Sequence, residues 1–89
     1  MYIVDFTEKA KDGLKKLSST PKYIEKVDKL IEEIKVNPKT GIGKPEQLRN
    51  YDIPTWSRHI SEKHRLVYEI HENIVTVLVL TTYGHYNDK

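Results

Sequence analysis

Cysteine is absent from the 89-residue chain, so no disulfide staples it and no thiolate can act as a nucleophile. The usual ligands of structural zinc are missing with it. The four histidines, His59, His64, His71 and His85, fall at no standard metal-ligand spacing. Long apolar runs are also missing. The longest, Ile74 to Leu80, is interrupted by Thr76 and is far too short to span a bilayer. The opening stretch MYIVDFTEKAKDG reaches Asp5 before any apolar core could form, which argues against a signal peptide. No glycine-rich phosphate loop follows a strand, because GIGKPE comes after a helical segment and lacks the spacing. No His-Glu pair has zincin spacing, and no serine sits in a nucleophile elbow. These absences lead to the expectation of a cytoplasmic protein with no membrane segment, no metal and no cofactor.

What is present fits one small domain spanning residues 1–89. A chain of this length buries only about 60–65% of the surface its unfolded form exposes, so its core is thin. Apolar residues make up 37% and charged residues 31% of the chain, the composition of a polar globular domain. The net charge of +2 is too small to point to a partner. Its distribution says more. Between Lys39 and Arg65 stand six Lys/Arg and two histidines against Glu46, Asp52 and Glu62, so the middle of the chain is its basic part.

Tyr2 to Phe6 reads as a short strand. Thr7 is placed to cap a helix in which Ala10, Leu14 and Leu17 recur at helical spacing, with Gly13 weakening it by roughly 1 kcal/mol relative to alanine. A stronger helix follows. Thr20 is placed to cap it, Pro21 suits its first position, Ile24, Val27, Leu30, Ile31 and Ile34 form one stripe, and Asn37-Pro38 ends it. KTGIGKPEQLRNYDIPT reads as a long loop, and long loops in small domains tend to be functional. WSRHI, RLVYEI and IVTVLVLTTY then predict an antiparallel meander whose last strand, apolar on both faces, is central. Placing Ile60 opposite Arg65 would put Trp56, Arg58 and Ile60 on one face with Arg65, Val67 and Glu69, leaving Leu66, Tyr68 and Ile70 for the helices. The expected fold is α+β: a short N-terminal strand and a helical hairpin packed on one face of a twisted, mainly antiparallel sheet.

Polar residues at the strand edges are the candidates for chemistry. Taken singly, each has an ordinary structural explanation. Glu46 can be a solvated loop carboxylate, Arg65 a hairpin-end ion pair, His85 a surface histidine, Arg58 and His59 sheet-edge polar groups, and Trp56, Tyr83 and Tyr86 cover for the core. Taken together they match the needs of metal-free RNA cleavage. That reaction requires a base for the 2′-hydroxyl, an acid for the departing 5′-oxygen and cations on the phosphorane. Aromatic rings would stack an unpaired base. Composition alone leaves this as one idea among several.

The stretches GIGKPEQL, WSRHISEKHRLVYEI and the closing YGHY resemble, in order and spacing, the YoeB/Txe toxins of bacterial toxin–antitoxin systems, within the RelE/ParE superfamily. The resemblance covers essentially the whole chain and implies the RelE-like microbial ribonuclease fold. It implies a ribosome-dependent endonuclease that cuts mRNA in the A site, leaving a 2′,3′-cyclic phosphate or 3′-phosphate and a 5′-hydroxyl. Carried over residue by residue, Glu46 looks like the general base, Arg65 the group that stabilises charge on the scissile phosphate, His85 the general acid, and Tyr86 a residue that orients the reacting nucleotide. Lys44, Arg49, Arg58 and His59 look like RNA contacts.

The chain departs from the family pattern where Arg58 is followed by His59 rather than a second arginine, where Ile53-Pro54-Thr55 precedes Trp56, and where Asn87-Asp88-Lys89 follows Tyr86. A histidine neutral at pH 7 would bind phosphate less strongly than arginine. Two alternatives stay open: a non-enzymatic ParE-like inhibitor acting on gyrase, and a homologue with weakened catalysis that only binds its antitoxin. The resemblance further implies a YefM/Axe-like antitoxin whose disordered acidic tail folds onto the toxin, and a homodimer.

Overall fold

The computed structural model describes residues 1–84. Strand β1 (Ile3–Phe6) leads into helices α1 (Glu8–Leu17) and α2 (Pro21–Val36). After a long loop come β2 (Glu46–Gln47), β3 (Thr55–His59), β4 (Arg65–His71), a 3-10 turn (Glu72–Ile74) and β5 (Thr76–Thr81). The strands form one sheet in the order β1-β5-β4-β3-β2. All neighbours are antiparallel except β1 and β5, which run parallel because the helical hairpin carries the chain back across the sheet. The expected α+β architecture is the one found. β5 is interior as expected, but the middle strand is β4.

Local signals explain the helices. Thr7 caps α1, accepting the Ala10 N–H on its hydroxyl at 3.1 Å and donating that hydroxyl to the Leu80 carbonyl at 2.8 Å. The cap thus also ties helix to sheet. Thr20 stands at the start of α2 but its side chain makes no capping bond, so Pro21 and the backbone turn shape that start. Ala10, Leu17, Val27, Leu30 and Ile34 pack on Leu66, Tyr68, Ile70, Val77 and Val79, which alternate along β4 and β5. Among the described residues, no helix covers the opposite sheet face.

Gly13 has a packing role that outweighs its cost to the helix. A Cβ there would stand 2.3 Å from the Thr82 hydroxyl and 3.1 Å from Tyr83 Cβ. The close approach lets Thr82 bury completely and donate to the Ala10 carbonyl at 2.8 Å. The chain beyond β5 is therefore clamped to α1.

The β3–β4 register corrects the expectation. Arg58 pairs with Leu66, Trp56 with Tyr68 and His59 with Arg65, one residue away from the anticipated alignment. A one-residue slip exchanges the faces. Trp56, Arg58 and Ile60 share the helix-covered face with Leu66 and Tyr68, while Ser57 and His59 share the opposite face with Arg65, Val67 and Glu69; there Ser57 and Val67 are buried and His59, Arg65 and Glu69 half-buried. Arg58, expected to contact RNA, is fully buried. Its five N–H donors are all used. Nε bonds the Tyr68 hydroxyl at 3.0 Å, Nη1 bonds Glu33 Oε1 at 3.0 Å and the Ile42 carbonyl at 3.2 Å, and Nη2 bonds the Asn37 and Thr40 carbonyls at 3.1 and 2.7 Å. Tyr68 passes its own proton to the Pro38 carbonyl at 2.6 Å. The hydroxyl titrates above its ordinary value because it is buried, with the Arg58 guanidinium opposing that shift.

Arg58→Ala should destabilise the fold by several kcal/mol, about 1–3 kcal/mol for each buried acceptor left without its donor. Arg58→Lys should lose most of the same stability, because an ammonium cannot serve five acceptors in a plane. Urea unfolding followed by circular dichroism measures both. Gly13→Ala, which stabilises an isolated helix by about 1 kcal/mol, should instead lower the melting temperature, because overpacking against Thr82 costs about 1–3 kcal/mol.

Candidate active site

The sheet face opposite the helices gathers the chemical groups at one end, and that end is open. Glu46 pairs with Ser57 across β2–β3, and His59 pairs with Arg65 across β3–β4. Directly opposed residues of an antiparallel pair point the same way, as do residues two apart on a strand. Glu46, Ser57, His59 and Arg65 therefore stand on one face. Two strand spacings and a two-residue offset put the Glu46 and Arg65 backbones roughly 12 Å apart, with His59 between them, a gap that long side chains and a nucleotide can fill.

Lys44 joins this group through the loop. The His59 N–H donates to the Gly43 carbonyl at 2.6 Å, which seats the loop on the end of β3. Gly43, at φ +81°, lies so close to α2 that a Cβ would meet Leu30 Cδ2 at 2.8 Å. Lys44 itself adopts φ 52°, a left-handed conformation that costs a non-glycine residue about 1–3 kcal/mol unless its surroundings enforce it. Arg58 and Glu33 provide that enforcement upstream. Glu33 Oε1, already bonded to Arg58, also accepts the Ile42 N–H at 2.7 Å.

Arg65 is half-buried and partly restrained. Its Nη1 donates to the Ser61 and Glu62 carbonyls at 3.4 and 3.2 Å. Among the described residues, its Nε and Nη2 have no partner and remain available to an anion. Its backbone N–H donates to the Gly84 carbonyl at 3.0 Å, extending the β4–β5 ladder past the end of β5. The Gly84 N–H in turn donates to His64 Nδ1 at 2.8 Å, and the His64 ring stacks at 4.6 Å on Tyr83 and edge-on at 5.2 Å to Tyr23. Nothing in the spacing of His64 and Gly84 marks this link, which is made by tertiary packing alone. His85 and Tyr86, expected as acid and orienting residue, lie outside the described residues.

His59 has a perturbed titration. Its imidazole titrates below its ordinary 6.5, first because it is partly desolvated and then because Arg65 and Lys44 face it, while Glu62 and Glu46 pull the other way. It is therefore neutral at pH 7. Arg49 does not join the cluster. The Leu48 N–H bonds the Thr55 carbonyl, so Arg49 lies past the opposite end of β3, four residues or about 13 Å of strand from His59. Among the described residues no group of three or more His, Asp or Glu is arranged to hold a metal ion. The arrangement combines a carboxylate, an imidazole and two cations on an open surface. A cleft of about 480 Å³ beside it, behind the β3–β4 turn, is lined by Lys22, Tyr23, Lys26 and Lys63 among others.

Comparison with known proteins identifies the family and the fold. The profile of the family described as the YoeB-like toxin of bacterial type II toxin–antitoxin systems matches residues 6–86. The chain is 40% identical over 79 residues to toxin YoeB of Mycobacterium bovis, covering 88% of this chain and 93% of that one. A YoeB/ParE toxin from Agrobacterium tumefaciens superimposes with a TM-score of 0.83 at 31% identity, covering 94% of this chain and 99% of that one. YoeB from Staphylococcus aureus has been solved as a dimer, with a TM-score of 0.82 at 29% identity over 96% of this chain and 98% of that one. It has also been solved in a heterotetrameric YoeB–YefM complex, with a TM-score of 0.78 at 30% identity over 97% and 99%. No helix among the described residues is long and apolar enough to cross a membrane. With family profile, sequence relatives and fold in agreement, the chain belongs to the YoeB-like toxins of bacterial type II toxin–antitoxin systems.

Proposed function

We propose that this toxin is an endoribonuclease that cuts mRNA in the ribosomal A site by metal-independent acid–base chemistry. The observation that carries the reading is the β2–β3–β4 register, which sets Glu46, His59 and Arg65 on one open face. Glu46 supplies the carboxylate that takes the proton from the 2′-hydroxyl. The 2′-oxygen attacks phosphorus, and the bond to the 5′-oxygen breaks. Arg65 meets the charge that grows on the non-bridging oxygens with its unengaged N–H groups. His85, carried over from the family resemblance, donates the proton to the leaving 5′-oxygen, and Tyr86 orients the nucleotide. The products are a cyclic phosphate, or the 3′-phosphate formed by its hydrolysis, and a 5′-hydroxyl. Lys44 and His59 contact the phosphate, and Arg49 meets a neighbouring nucleotide farther along the strand.

A protein with this activity works in the cytoplasm and needs restraint. A YefM-like antitoxin and a homodimer are proposed on the strength of the S. aureus dimer and YoeB–YefM complex.

Glu46→Gln, Arg65→Ala and His85→Gln should each remove growth arrest on expression, with circular dichroism spectra like wild type. Loss of an acid–base group should slow cleavage by about 10²–10⁴-fold. Primer extension on mRNA from a translation reaction, with and without ribosomes, measures this directly. Cuts at A-site codons that require ribosomes are the expected result. Intact mRNA, or equal toxicity of all three variants, overturns the reading, and intact mRNA with blocked DNA supercoiling would point to gyrase instead.

A further inference from the structure

One end of the open face holds two cations around an imidazole. His59 and Arg65 are directly opposed, which places their Cβ atoms about 4.5–5.5 Å apart. The 2.6 Å bond from the His59 N–H to the Gly43 carbonyl brings exposed Lys44 to the same strand end. The ionisable groups that face His59 are Arg65 from β4, Lys44 from the loop over β3, Glu46 from β2 and Glu62 from the β3–β4 turn. Arg65 keeps Nε and Nη2 unengaged among the described residues, while its Nη1 is held by two turn carbonyls.

We propose that Lys44, His59 and Arg65 form a three-sided cradle for one RNA phosphodiester, and that docking of the phosphodiester there places a proton on His59. The proposal rests on the reading that this face takes RNA, and adds that the binding is coupled to a proton. In the free chain partial burial, and then the neighbouring Arg65 and Lys44, lower the imidazole's pKa. A phosphodiester carries one negative charge at any pH near neutral. Set among the three side chains, it reverses the local sign: the repulsion from Arg65 and Lys44 is offset, and both ring nitrogens gain by being donors. Coupling is reciprocal, so if RNA favours the proton, the proton favours RNA by the same factor.

The direction in pH follows. Above the raised pKa of the bound imidazole, the proton is absent from both states and contributes nothing. Between that value and the lowered pKa of the free imidazole, each unit of falling pH tightens binding by up to about tenfold. Below the free pKa the imidazole is charged in both states and the gain levels off. Arginine at position 59 would bind as a permanent cation and show no such dependence.

Titration calorimetry of the full chain with a single-stranded RNA trinucleotide carrying 2′-O-methyl riboses, which cannot be cut, tests this. Measurements at pH 7 in two buffers of different ionisation enthalpy count the protons taken up. Wild type should take up a substantial fraction of one proton and bind several-fold more tightly at pH 6.5 than at pH 7.5. His59→Gln should bind more weakly without uptake. His59→Arg should bind at least as tightly as wild type, also without uptake. Circular dichroism checks that both variants fold. Unchanged uptake in either variant would assign the proton to another histidine and overturn the proposal. So would pH-independent binding by wild type, or no binding of the trinucleotide. The ribosome-dependent cleavage assay decides the nuclease reading separately, so the cradle can fail while that reading stands.

Discussion

The geometry of the candidate site depends on a buried charge that takes no part in it. Arg58 lies wholly inside the domain with a carbonyl, hydroxyl or carboxylate oxygen on every one of its five N–H groups. Burying a guanidinium costs several kcal/mol, and a single ion pair rarely offsets that. Here Glu33, Tyr68 and three loop carbonyls share the task, and the network is fully satisfied, the condition under which buried polar groups define one arrangement rather than many. Three of its acceptors, the carbonyls of Asn37, Thr40 and Ile42, belong to the loop before Lys44 and Glu46. That loop has no ladder of its own until β2, so Arg58, with the Tyr68 hydroxyl on the Pro38 carbonyl and the His59 N–H on the Gly43 carbonyl, holds it to the sheet. The same residue fixes the parity of β3. With Arg58 pointing toward the helices, Ser57 and His59 must point away.

The buried arginine also explains which features could be read from the sequence. Helices with a regular apolar stripe, the Pro21 start and the Thr7 cap were legible because neighbouring residues determine them. The inward set of β4, Leu66, Tyr68 and Ile70, was legible from simple alternation. The β3 register was not. Its alternation, Trp56, Arg58, Ile60 against Ser57 and His59, becomes decisive only if a charged residue is allowed inside, and the acceptors that allow it come from Glu33, Tyr68 and the loop, ten to twenty-five positions away. Composition makes an arginine beside a histidine look like surface. Gly13 misleads in the same way. Read locally it weakens a helix, whereas its contacts with Thr82 and Tyr83 lie about seventy residues distant. β2 escaped notice because two exposed residues carry no hydrophobic pattern.

The site divides similarly. Glu46 and Arg65 were identified through resemblance to a family, not through spacing, since no local motif joins a loop carboxylate to a residue nineteen positions on. The structure adds why they meet: both flank β3 on the open face. It separates Arg49 from them and withdraws Arg58. It also places Gly84 beside β4, its carbonyl on the Arg65 N–H and its N–H on His64.

The openness of the face bears on mechanism. Lys44 and Glu46 are exposed, and His59 and Arg65 only half-buried. Charges in such a position are screened by water and salt, so the field that Arg65 and Lys44 can apply to a phosphorane is weak while the toxin is alone. A catalyst that relies on electrostatic stabilisation gains strength when water is excluded. Among the described residues these four side chains stay at least partly exposed and do not exclude water by themselves. On the reading proposed, the wall must come from whatever presents the RNA, and a large assembly gripping a codon would supply both the orientation and the low dielectric that the open sheet lacks. On that same reading, dependence on the ribosome would follow from the fold, with part of the site's environment left for the target to provide.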